Sequence, residues 1–379
     1  MAYLHLPHRP QSRLTSEVLR LLRAAGPMSR AEIARRISIS KPTASALVET
    51  LIRNGLILES QSAPAGNGRP PFLLHYRPDA WHLAAVDIGA SNVRVAVADA
   101  LGELQTVVRD SVVASRSAGD LVGQVEAMLA DAVGQSNIAF DSLLTVSVGV
   151  PGVVTPESGH ITHSPNFPEL ENVDLASALA NSLGLEVLLE NDVNLAAIGE
   201  RWRGAGQGID NFVFLAIGTG LGAGMILAGE LYSGRAGRAG EVGYLPAPTG
   251  ALEATVSGAA LAAAYSERTG TKVADAQTVF EAMQKGNQDA TACVEDLLVD
   301  LAWVCAVLSS SLDPDKIVLG GGVGVHLAGL TERIAIEAKR YSPIVAPIEV
   351  SALDEDAPLL GAVAVGLRRA RELEIRNTA

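Results

Sequence analysis

Apolar residues recur at helical spacing through the first fifty positions of the chain. Leu14, Val18, Leu21 and Leu22 fall three or four residues apart, and Gly26-Pro27 stops the run. Ser29 then opens a second helix, with Glu32 three residues on predicted to complete a reciprocal capping box. A third helix begins near Ser40, tolerates Pro42 in its first turn, and turns Ala44, Leu47, Val48, Leu51 and Ile52 inward until Asn54-Gly55. Leu56-Ile57-Leu58 reads as a strand, the Gly- and Pro-rich residues 63–71 as a tip, and residues 72–76 as a second strand. Helices followed by such a hairpin predict a helix-turn-helix with a wing.

From Trp81 onward the pattern changes to strands alternating with helices, rich in Ala, Val and Gly, which predicts an α/β body. One unit occurs twice: residues 83–98, LAAVDIGASNVRVAVA, and residues 212–228, FVFLAIGTGLGAGMILA, each read strand, Gly-rich turn, strand. A third glycine cluster, Gly320-Gly321-Gly322, follows a strand over 316–319. Gly-rich turns let backbone amides approach phosphate oxygens with no side chain in the way, and the repeat predicts a duplicated fold with a cleft between its copies.

Between the two copies lies LLENDVNLAAIGE, residues 188–200, an apolar strand that ends on Glu190, Asn191, Asp192 and Asn194 where a helix should begin. A strand end opening onto a helix is where α/β sheets place ligands, and a carboxylate flanked by amides suits the hydroxyls of a sugar. Capping the following helix is the plainer use of Asp192.

Charge sharpens the division into two parts. The net charge of −13 hides 11 Lys and Arg against 5 Asp and Glu in residues 1–80, and 18 against 37 in the rest. A basic arm on an acidic body suits nucleic acid. The outer face of the third helix carries Lys41, Pro42, Ser45, Ala46 and Glu49, mostly small, so that it can approach base edges while Lys41 meets phosphate or guanine. Arg69 at the wing tip suits a narrow minor groove. The candidate DNA contacts are Arg30, Lys41, Thr43, Ser45 and Arg69.

Cys293 and Cys305 fall in an apolar helical pattern and read as buried thiols rather than as a disulfide or zinc site. His160 and His163 read as a loop or strand-end pair. No signal-peptide core and no apolar run of roughly 18 residues is present, so a cytoplasmic protein with no membrane partner is expected.

In its ordered motifs the chain resembles the ROK family, which groups bacterial sugar kinases with sugar-responsive repressors on an actin-like, ribonuclease-H-like bilobal fold. The motifs are Asp87-Ile88-Gly89, Gly149-Val150-Pro151-Gly152, Ser164-Pro165-Asn166, Glu190-Asn191-Asp192-Val193-Asn194, Gly218-Thr219-Gly220 with Gly222 and Gly224, and Gly240-Glu241-Val242-Gly243. The resemblance implies an α/β protein with a winged helix-turn-helix over 1–80, a first lobe over 81–191 joined by a carboxy-terminal helix near 357–379, and a second lobe over 192–356. It implies that Asn166, Asn191, Asp192, Glu241 and Glu253 hold sugar hydroxyls, with Tyr244 where the family has a histidine, and that Asp192 is the general base in kinase members. It places Asp87, Gly89, Gly218, Thr219, Gly220 and Gly321 around a nucleotide, Asp87 serving its magnesium.

The chain also departs from that pattern. Gly89-Ala90-Ser91-Asn92 replaces the kinase Gly-Gly-Thr-Lys, and only LPAPTGAL separates Tyr244 from Glu253, where the family carries a cysteine-rich zinc loop. Structural zinc is therefore expected to be absent, no cofactor to be required, and ATP and magnesium to matter only for a kinase. The expected function is a DNA-binding regulator of carbohydrate-metabolism genes, a repressor released by a sugar or sugar phosphate and bound to operator DNA as a homodimer or homotetramer. The alternatives are an ATP-dependent sugar kinase with a DNA-binding arm, and a regulator whose sugar site is vestigial.

Overall fold

The computed structural model describes residues 10–61, 72–113, 117–156, 158–248 and 250–378. Arg69, the expected wing-tip contact, lies outside the described residues. The chain begins with helices α1 (Pro10–Ala25), α2 (Arg30–Arg36) and α3 (Lys41–Arg53). Ser29 caps α2 by accepting from the Glu32 amide at 3.2 Å, and Ser40 caps α3 by accepting from the Thr43 amide at 3.2 Å. The reciprocal half of the expected capping box is not made. Glu32 bonds forward instead, to Arg35 and to Arg36 Nε at 2.8 Å, because two cations one turn downstream outbid a backbone amide. These guanidiniums hold its carboxyl below the usual range.

Strands β1 (Ile57–Gln61) and β2 (Phe72–Tyr76) pair antiparallel, and Met28 bridges to Leu74. Val18, Leu22, Ile33, Leu47, Leu51 and Leu74 are buried beneath them, in an apolar cluster that continues into Trp81, Leu83, Leu359 and Leu367 of the following body.

That body repeats one topology. The first sheet contains β3 (His82–Ile88), β4 (Asn92–Asp99), β5 (Leu104–Ser111), β6 (Leu143–Val150) and β7 (Glu186–Asn191), in the order β5-β4-β3-β6-β7. The second contains β8 (Phe212–Ile217), β9 (Leu221–Leu227), β10 (Glu230–Leu231), β11 (Lys316–Gly320) and β12 (Ile348–Val350), in the order β10-β9-β8-β11-β12. In both, the first three strands run antiparallel and the last two join in parallel. The duplication read from two hairpins thus extends to whole sheets.

Helices α4 (Ala118–Ser136) and α5 (Leu175–Leu183) bury Leu121, Val125, Leu129 and Leu179 against the first sheet. Helix α6 (Asp192–Arg203) follows β7 directly. Helices α7 (Gly258–Thr269), α8 (Ala276–Gln284), α9 (Gln288–Leu312) and α10 (Thr331–Ala338) cover the second sheet. Cys293 and Cys305 are free, buried thiols of α9, and burial pushes Cys305 up to about 12. Among the described residues no helix is long and apolar enough to cross a membrane.

Helix α11 (Ala357–Thr378) closes the chain by lying along α6, β3 and β6. Its crossing with α6 is backbone against backbone. A Cβ on Gly361 would fall 1.8 Å from the Leu195 carbonyl oxygen, and one on Gly199 would fall 2.2 Å from that of Ala357. Gly361→Ala is expected to lower stability by about 1–3 kcal/mol or more, read as a lower urea midpoint, since this crossing has no room for overpacking. A midpoint equal to that of the parent would show that the helices are not in this contact.

Candidate functional site

The junction of β7 and α6 gathers the polar groups singled out in the sequence. Asn191 is the helix cap: its Oδ1 accepts from the Asn194 amide at 2.9 Å, and its Nδ2 donates to the Gly152 carbonyl at 3.0 Å and to Asp192 Oδ1 at 3.3 Å. The capping task falls to Asn191, so Asp192 is left over for other work. Asp192 Oδ1 also accepts from the Val193 amide at 2.9 Å, while Oδ2 has no hydrogen-bond partner among the described residues. Glu190 and Asn194 satisfy each other, with Asn194 Nδ2 donating to Glu190 Oε1 at 2.9 Å, so this pair is a brace behind the mouth.

A second loop completes the wall. Ser164 donates to the Pro151 carbonyl at 2.6 Å, and Gly152 leaves room for it, since a Cβ there would lie 2.8 Å from that of Ser164. Asn166 sits half-buried two residues on. The cleft itself is lined by Asn191, Val193 and Asn194 on one side and by Gly222, Ala223, Gly237, Ala239, Gly240 and Glu241 on the other.

The site is crowded with negative charge. Burial, followed by the charges of Asp87 and Glu241, pushes Asp192 up to about 7. Glu241 is raised by burial and by Glu253. Glu253 Oε2 accepts from the Leu221 amide at 3.1 Å, and a Cβ on Gly220 or Gly243 would lie 2.7 or 3.0 Å from that oxygen. Tyr244 is 66% exposed and stands edge-on to His163, 6.4 Å between centroids. Burial and the nearby Glu241 and Glu253 raise its hydroxyl. His163 adopts the left-handed backbone region at φ 52°, which is uncommon outside glycine.

The residues expected around a nucleotide are differently employed. Across β3 and β4, Asp87 faces Arg94, whose Nε and Nη2 donate to Asp87 Oδ2 at 3.1 and 2.8 Å, both side chains being 9% exposed. Arg94 also donates to Asp356 Oδ1 at 3.0 Å and to the Glu355 carbonyl, at the start of α11. Burial raises Asp87, against the pull of Arg94. The Gly89 amide donates to the Asn92 carbonyl at 2.8 Å and that of Gly218 to Gly220 at 2.9 Å, closing both turns on themselves. Thr219 is exposed at the second tip, and Gly321, at φ 78°, would place a Cβ 2.6 Å from the Ile217 carbonyl.

Asp87, the carboxylate expected to serve magnesium, thus already holds a guanidinium, and one amide of each turn is engaged within the turn. Sequence reading missed Arg94. An arginine inside the apolar strand NVRVAVAD was the available signal, since a buried charge must be paired. Among the described residues no three His, Cys, Asp or Glu side chains converge to hold a metal ion.

On the amino-terminal unit Lys41 and Thr43 are exposed and Ser45 half-buried at the start of α3. Thr43 Oγ1 shares a 2.8 Å hydrogen bond with Ser40 Oγ. Arg30 is less free than expected, bonding Glu59 of β1 at 3.1 Å and lying 3.6 Å from Glu49 of α3.

A winged helix joined to two copies of one actin-like sheet, with a carboxylate cleft between them, defines a sugar-kinase-like fold carrying a DNA-binding module. The chain belongs to the ROK family, which its residues 83–369 match, and residues 14–63 match the MarR family. It is 24% identical to the xylose repressor of Caldicellulosiruptor bescii, over 89% of this chain and 91% of that one. It is 30% identical to the glucokinase of Thermotoga maritima, over 75% of this chain and 96% of the enzyme. The crystal structure of a ROK family transcriptional regulator, a homologue of the Escherichia coli MLC protein, shares its fold with a TM-score of 0.79 at 21% identity, covering 96% of this chain and 98% of that one.

The raised Asp192 makes stability pH-dependent. Between the ordinary carboxylate range near pH 4 and its folded value of about 7, the folded state keeps a proton that the unfolded state has lost, so stability falls as pH rises through that window. Asp192→Asn cannot ionise and is expected to give a slope shallower by up to about 1.4 kcal/mol per pH unit, measured by urea unfolding between pH 4 and 8. An unchanged slope would mean that Asp192 is not the buried group described.

Proposed function

We propose that the chain is a DNA-binding transcriptional regulator of carbohydrate-metabolism genes, a repressor that lets go of operator DNA when a sugar or sugar phosphate enters the cleft. The observation that carries this reading is the contrast between two carboxylates. Asp87 is spent on Arg94, whereas Asp192 keeps an oxygen open beside Glu241. Binding machinery for hydroxyls persists where machinery for phosphoryl transfer does not, and in-line transfer needs both.

In this reading sugar hydroxyls donate to Asp192 and Glu241, Asn166 and Asn191 add amide contacts, Glu253 fixes the far side, and the exposed Tyr244 ring covers the mouth. No cofactor is required. Lys41, Thr43 and Ser45 meet the major groove, Arg30 supports that face from its ion pairs, and Arg69 reaches the minor groove. Each winged helix reads one half-site, so a homodimer or a homotetramer binds a palindrome. The protein works in the cytoplasm, where that DNA is. The match to a repressor over 89% of this chain, against 75% for a kinase, supports the reading, since the larger share takes in the basic arm.

A second reading, an active sugar kinase, is favoured by one observation: a carboxylate at about 7 is poised to act as a general base. ADP release with D-xylose, D-glucose and N-acetyl-D-glucosamine separates the two. Background rates are expected for all three sugars, and turnover abolished by Asp192→Asn would establish the kinase instead.

Binding to a duplex selected by the full chain from a randomised pool is expected to weaken with salt. Lys41→Ala should lower affinity and reduce the slope of log affinity against log salt by about 0.9. An unaltered slope would remove Lys41 from the phosphate contacts.

A further inference from the structure

A buried carboxylate joins the two functional halves of the molecule. Glu374, near the end of α11, is 3% exposed, and its oxygens take donors from three separate places. Tyr76 Oη at 2.8 Å and Trp81 Nε1 at 2.9 Å donate to Oε1, and the Arg23 guanidinium donates to Oε2. Arg23 also lies over the Tyr76 ring, 4.7 Å from its centroid. Arg23 stands in the last turn of α1, Tyr76 ends β2, and Trp81 precedes β3. One side chain therefore fastens the first helix, the wing and the start of the first lobe.

The same helix reaches the cleft. Gly361 of α11 and Gly199 of α6 bring the two backbones into contact, and α6 begins with Asp192, next to its cap Asn191. Glu200, fully buried on α6, accepts from the Ala205 amide at 2.6 Å and from the Ser351 hydroxyl, which ties the far end of α6 to the segment leading into α11. Arg94 holds the turn just before that helix through Asp356 and Glu355. Neither helix can slide on the other without collisions between carbonyl oxygens and α-carbons. A displacement at Asp192 is passed along α6 to α11 as a rigid-body movement.

We propose that Glu374 is the positioning residue through which occupancy of the cleft sets the orientation of the winged helix. The apolar part of this junction, with Leu22, Trp81 and Leu367, tolerates small sliding; a carboxylate with three directed donors does not. Movement of α11 is carried to α1 and β2 through those bonds. The proposal rests on the sugar-sensing reading above and adds to it the route by which sensing reaches DNA.

The test compares wild type with Glu374→Gln, using the selected duplex and D-xylose, D-glucose and N-acetyl-D-glucosamine as probes. In the wild type a sugar that binds by calorimetry is expected to weaken duplex binding by fivefold or more. In Glu374→Gln the same sugar should bind within about twofold of wild type, while its effect on the duplex shrinks to less than about twofold. A merely structural role would lower stability and leave the sugar effect intact, and that result overturns the proposal.

Should Glu374→Gln fail to fold, Tyr76→Phe and Trp81→Phe each remove one donor, and each should cut the sugar effect part-way. A full effect in both overturns the proposal. A wild type that binds sugar yet holds its duplex unchanged sinks the sensing reading and this proposal together. If none of the three sugars binds, only the sensing reading falls, and hydrogen exchange decides the rest. Asp192→Asn should then change exchange in α1 and β2, and that change should vanish in a Glu374→Gln background; exchange unaffected by Asp192→Asn overturns the coupling.

Discussion

The close crossing of α6 and α11 is the contact on which the rest of the molecule depends. Helices usually meet through side chains at 8–10 Å between axes, and only glycine on the facing turns permits less. Gly199 and Gly361 supply that permission, and Gly224 repeats it on the sheet side, where a Cβ would lie 2.6 Å from that of Ala197. Helix α6 is thereby clamped between β9 and α11. Because α6 begins at the mouth of the cleft and α11 ends under the winged helix, the clamp links the cleft to the winged helix without any long-range wire of side chains.

Buried charge is distributed around this clamp in a consistent way. Asp87 has Arg94, Glu200 has Ser351 and the Ala205 amide, and Glu374 has Arg23, Tyr76 and Trp81. Each pairing offsets the several kcal/mol that an unpaired buried ion costs, and those of Glu200 with Ser351 and of Glu374 join elements far apart in the chain. Asp192 is placed differently. It has amide contacts on one oxygen, none on the other, and acidic neighbours that disfavour its charge. Donors from the hydroxyls of a ligand would complement such a carboxylate.

Local signals were legible in the sequence and non-local ones were not. The caps at Ser29 and Ser40, the second wing strand, both hairpins and the strand-to-helix junction at Asn191 rest on neighbours within a few residues and stand where the pattern placed them, while the first wing strand, read at Leu56-Ile57-Leu58, runs over Ile57–Gln61. The glycines were found, but their use was read from the nearest analogy. Gly222 and Gly224 make room for α6, and Gly220 and Gly243 for Glu253, which periodicity cannot reveal because the partner lies in another element. Arg94 is paired across a strand, and Arg23 meets Glu374 at a separation of 351 residues. In the sequence both Arg23 and Glu374 look like ordinary solvated positions on helices, so their meeting required the fold.

Regulation asks less of a two-lobed fold than catalysis does. Phosphoryl transfer demands a metal carboxylate, a free phosphate cradle and a base held together to within a fraction of an ångström. Release of DNA demands only that the ligand favour one orientation of the winged helix over another, and a coupling of about 1–3 kcal/mol suffices to change affinity from several-fold to a hundredfold. Arg94 bears on both requirements, and on the first it occupies the carboxylate of Asp87. On the second, its other bonds hold the residues just before the helix that carries Glu374. One buried guanidinium thus ties a carboxylate near the end of β3 to the turn that leads into α11.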